Sequence, residues 1–232
     1  MFDPRESPVL LMVGLAAAAL TTGPVGATSD VGVAPNVPWA DAPPVVLYTQ
    51  YDSPDTIAIN SQNFEVAYDA YDDFAADDFV VPAGVKWSIT GIWVEGTYYN
   101  SPGPAVSFNV SVHQGVGGLP KDPPKVTRSS QAYIFVPPST FHIKVDPPIN
   151  IPESGSRRHV WISLQANMDF AGGAGGQWGW IVRTVHANAP GAWKNPGDGF
   201  GTGCTGWDTL VNCTGTNAVD FVFLLVGKAN TP

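Results

Sequence analysis

The sequence predicts an all-β fold, a two-sheet antiparallel sandwich of jelly-roll type, as a single domain over residues 45–228. Three observations carry this expectation. Apolar and polar residues alternate with a period of two in several short runs. Pro and Gly interrupt those runs at short intervals. No helical period follows the first 27 residues. Many short strands in roughly 180 residues fit two sheets closing on one core.

The elements follow in chain order. Arg5 precedes an apolar run from Val9 to Leu20, which ends in the small residues Val25-Gly26-Ala27. That order is the pattern of a secretory signal peptide over 1–27. The run is shorter than the ~20 apolar residues of a spanning helix. The mature form is therefore expected without a membrane span, in a secreted, extracellular or periplasmic location. Residues 28–44, rich in Pro and Ala, read as an extended lead-in. Strands are then expected over 45–49, 78–81, 86–95, 106–114, 132–136, 140–145, 159–166, 177–184 and 219–226. In the seventh, Val160, Ile162, Leu164 and Ala166 form a core face and Trp161 lies opposite. The last is apolar on both faces apart from Asp220, which suggests a central position.

Charge and cysteine content narrow the function classes. Asp and Glu number 20 against 11 Lys and Arg, for a net charge of −9. Long-range repulsion of phosphates then argues against nucleic acid. Two cysteines, Cys204 and Cys213, in an exported chain read as one disulfide.

Four of the eight tryptophans (Trp178, Trp180, Trp193, Trp207) fall within 171–207, among many glycines. Trp178 and Trp180 share one strand face, about 7 Å apart. They can pack inward, or present π faces to sugar rings. In the second case Trp178, Trp180 and Trp193 are the stacking groups, and Asn195 and Asp198 read the hydroxyls. Segment 68–79 places five carboxylates within ten residues. Of these, Asp72, Asp73 and Asp77 are candidate ligands for a structural calcium, the only cofactor expected, although the spacing of an EF-hand is absent. The alternative is a solvated turn ahead of a strand. No Gly-x-Ser-x-Gly elbow or His-Glu-x-x-His motif occurs. His113, His142, His159 and His186 lack ligand spacing. A glycosidase needs two opposed carboxylates; Glu95 with Asp198 or Asp169 is the candidate pair.

The run Ala75-Ala76-Asp77-Asp78-Phe79 with Trp87 resembles an opening found in exported bacterial β-sandwich domains. So do Gly176-Gln177-Trp178-Gly179-Trp180, Trp193-Lys194-Asn195-Pro196 and Gly199-Phe200-Gly201-Thr202-Gly203-Cys204. Such domains occur alone or appended to secreted peptidases and surface proteins. The resemblance implies fold and location, and no catalytic residue. The leading expectation is thus a secreted, non-catalytic sandwich binding extracellular material, with polysaccharide or cell-surface material as partner. The alternatives are a structural matrix protein assembling through protein–protein contacts, and a glycoside hydrolase or lyase on a jelly roll.

Overall fold

The computed structural model describes residues 45–171 and 175–230; the expected leader 1–27 and lead-in 28–44 lie outside the described residues. Its strands are β1 (Val45–Gln50), β2 (Pro54–Asn60), β3 (Gln62–Asn63), β4 (Phe74–Val81), β5 (Lys86–Tyr99), β6 (Ser107–Val116), β7 (Leu119–Pro120) and β8 (Val126–Gln131). They continue as β9 (Tyr133–Val136), β10 (Thr140–Ile151), β11 (Arg158–Asn167), β12 (Gln177–Arg183), β13 (Ala192–Lys194), β14 (Asp208–Thr209), β15 (Asp220–Phe221) and β16 (Phe223–Asn230). One α-helical turn, α1 (Leu210–Thr214), lies between β14 and β15.

Two sheets form the sandwich. The first runs β1-β16-β5-β10-β9, and β12 joins it through the end of β5 while carrying β2 and β15. The second runs β14-β13-β4-β11-β6-β7, with β3 on β11 and β8 on β6. All pairings are antiparallel except β3 with β11. The all-β sandwich is therefore the observed class. β16 sits between β1 and β5, as its two apolar faces require.

Alternation sets the core. On β11, Val160, Ile162, Leu164 and Ala166 face the other sheet and are buried. Trp161 points the opposite way yet is also buried, because Ala76, Ala192, Leu119, Ala189 and Trp207 cover it on the outer side of the second sheet. β2, β8 and the short strands β3, β7, β13 and β14 escape the sequence pattern. β8 (VTRSSQ) is a polar strand with one buried residue, so its alternation carries no hydrophobic signal. The helical turn is also unforeseen. It forms because Thr209 caps the Asn212 N–H and Gly215 ends it at φ 67°.

Cys204 and Cys213 are disulfide-bonded. Closing a loop this short restricts the unfolded chain by about 2–3 kcal/mol. It ties the segment after β13 to α1.

At Gly96, β5 passes from pairing with β10 and β16 to pairing with β12, and the indole of Trp178 lies over the glycine. A Cβ there would lie 2.7 Å from the Trp178 indole. Gly96→Ala is therefore expected to destabilise the fold by about 1–3 kcal/mol, measured as a lower denaturation midpoint with an unchanged slope.

Candidate functional site

The indoles expected to face a ligand are inside. Trp178, Trp180 and Trp193 are each 0% exposed. Trp178 and Trp180 do share a face, but it is the core face. Trp178 packs edge-on to Phe108 and Phe141. Trp180 stacks on Phe221 at 4.5 Å, and its Nε1 donates to the Val222 carbonyl at 2.9 Å. Trp193 Nε1 donates to the Asn60 carbonyl at 2.9 Å, bridging the two sheets. Burying large aromatic surface outweighs leaving it wet. Asn195 is also buried: its Nδ2 donates to the carbonyls of Ala70 and Asp72, and its Oδ1 accepts from Phe200 N–H. Asp198 alone of the five is exposed, where its Oδ1 accepts from Gly203 N–H within a turn. The expected stacking groove is corrected accordingly: these residues build the interior and its covering loop.

The acidic segment also turns inward. Asp73 and Asp77 share the core side of β4 with Ala75 and Phe79, and both are 0% exposed. Asp73 accepts from Asn60 Nδ2 at 2.8 Å and Gln62 N–H at 2.6 Å. Asp77 accepts from Gln50 Nε2 and Phe221 N–H, both at 2.6 Å, and from Asp78 N–H at 2.7 Å. Asp72 accepts from Phe64 N–H at 2.8 Å. The three candidate calcium ligands thus serve protein donors, and among the described residues no three acidic, His or Cys side chains gather to hold a metal. Asp220 completes a polar corner. Its Oδ2 accepts from Ala187 N–H and lies 3.4 Å from the Arg183 guanidinium, while its Oδ1 is buried without a partner. On the outer side of β4, Asp78 bonds His159 Nδ1 at 2.9 Å.

Burial pushes these carboxyls upward. Desolvation and then the charge of Asp220 raise Asp77 well above the usual carboxylate range. Desolvation dominates the rise of Asp73, and raises Asp220 and Asp72 to about 6.

A partly exposed aromatic pair lies on the first sheet. On the outer side of the first sheet, strand register places Leu224, Trp93, His142 and Ile134 in one row and Glu95, Thr140 and Val136 in the next. Trp93 and His142 stack at 4.1 Å between centroids and 17° between planes, each partly exposed. Desolvation lowers the His142 pKa, against the smaller opposing pull of Glu95, which favours the uncharged ring. Beside the pair, Glu95 accepts from Tyr51 and Thr140 hydroxyls on one oxygen and from Ser139 on the other. The alternation of 86–95 carried the signal: Ile92 and Val94 inward places Trp93 and Glu95 outward.

No family model, curated protein or solved structure matches the chain.

The buried carboxyls give a pH signature. For Asp220 and Asp72 the folded pKa exceeds the unfolded 3.8, so their stabilising effect is complete below 3.8 and is lost as pH rises through about 6. His113 and His142, with lowered pKa, act with the opposite sign below 6.5. Asp220→Asn removes the charge beside Asp77 while Arg183 keeps Asp52. The variant's melting temperature is expected to exceed wild type at pH 8 and to converge with it at pH 3.5, by calorimetry across that range.

Proposed function

We propose that this chain is a secreted, non-catalytic β-sandwich that binds extracellular polysaccharide, and that the ligand rests on the outer face of the first sheet around Trp93 and His142. The observation that carries this reading is the stacked pair itself. It is a partly exposed aromatic pair on the outer side of a sheet, with hydroxyls and a carboxylate, Glu95, in the adjacent row. Sugar rings offer C–H faces to such rings and hydroxyls to such acceptors. The non-catalytic part is supported by Glu95, the carboxylate expected for a hydrolase. Three hydroxyls engage it, so its oxygens are held within the protein's own hydrogen bonds.

A specific observation also favours assembly through protein contacts. Edge strand β9 leaves Phe135 and Val136 38% and 41% exposed, and exposed strand edges pair with other chains. Light scattering separates the readings: a strictly monomeric protein removes the second.

Affinity electrophoresis against a panel of polysaccharides tests the first. Retardation is expected for at least one polymer and roughly fivefold weaker in Trp93→Ala, with the variant's melting curve confirming its fold. Retardation unchanged in Trp93→Ala, or absent for every polymer, overturns the reading.

A further inference from the structure

The loop that follows β7 holds a cavity of about 230 Å³, lined by Gln114, Lys121, Asp122, Pro123, Pro124 and Lys125. This is below the ~300 Å³ at which pockets take drug-sized molecules, and leaves room for one small ring or charged group. Its walls are fixed by backbone bonds from Lys121 N–H to the Gln114 carbonyl at 2.8 Å and from Lys125 N–H to the Val112 carbonyl at 2.7 Å. The two prolines restrict the chain between them.

The charge balance inside the cavity is unusual for an acidic protein. Lys121 and Lys125 are exposed and make no ion pair among the described residues. The one carboxylate present, Asp122, is already matched. Lys194 Nζ lies 2.6 Å from its Oδ2, and is itself held over the rings of Phe74 and Trp207 at 4.9 and 4.6 Å. Partial burial acts upward on Asp122, but the bond and charge of Lys194 outweigh it and hold the carboxyl below its usual range. His113, beneath the loop, has its pKa lowered by burial, and its Nδ1–H donates to the Lys121 carbonyl at 3.1 Å. Two ammonium groups are thus left unbalanced at a preformed concavity. The backbone N–H groups of both lysines are engaged in pairing. The two side chains offer a pair of point charges, which suits one anionic group.

We propose that this cavity is a second binding site, taking the carboxylate of an acidic sugar between Lys121 and Lys125. The site is argued from the cavity alone. That the sugar belongs to a polysaccharide rests on the reading above.

Amide NMR titration of the whole domain with tri-galacturonate, a neutral trisaccharide and inorganic phosphate tests it. The expected result is that tri-galacturonate shifts the resonances of Gln114, Lys121 and Lys125. The double variant Lys121→Ala/Lys125→Ala should bind roughly tenfold more weakly, and binding should weaken with added salt. Trp93→Ala should leave these shifts intact, which separates this site from the Trp93 face. Absent shifts, equal shifts with the neutral sugar, or equal shifts with phosphate (an adventitious ion only) each overturn the proposal. Shifts at the cavity without retardation on any polyuronate gel would keep the site and remove only its polymeric ligand.

Discussion

The two sheets are registered on each other by carboxylates that point into the sandwich. Asp73 and Asp77 leave the second sheet on the same side as Ala75 and Phe79, and reach donors on the first: Asn60, Gln50 and the Phe221 amide. A buried carboxylate without such donors is costly, so the sheets cannot slide past each other without exposing that cost. Trp193 adds a further bond across the same gap, to the Asn60 carbonyl. Around these polar points the apolar core fills with Trp178, Trp180, Phe108, Phe141, Phe221 and Phe223.

This arrangement decides where function can lie. Residues that look chemically busy in the sequence, the paired aspartates and the Trp-rich stretch, are consumed by the interior. Chemistry available to a ligand is left to sheet faces and loops. The stacked Trp93 and His142 occupy the first, and the lysines around Asp122 occupy the second. Each place is held by its own neighbours. The Trp93 row sits on β5 and β10, paired along most of their length. The lysine loop is braced by Lys194 between Phe74 and Trp207.

Complete burial of polar groups also makes the interior sensitive to charge. Asp220 lies beside Asp77 with one oxygen unpartnered. The pair is tolerated because Arg183, the Ala187 amide and Gln50 surround it with donors, and because desolvation favours its neutral form.

Fold class, the core face of β11, the central place of the last strand and the Cys204–Cys213 pair could be read from the chain alone, because alternation and cysteine count are local signals. Strands such as β2 and β8 could not, since their pairing comes from neighbours distant in sequence and not from their own pattern. Sequence showed that Trp178 and Trp180 share a side. Only the tertiary structure decided that this side faces Phe108 and Phe221 instead of water. The physical reason is that strand periodicity fixes which residues point together, whereas burial depends on what the other sheet and the loops place above them. Trp161 shows the same rule from the opposite direction: it projects away from the main core, and loops from elsewhere in the chain seal it.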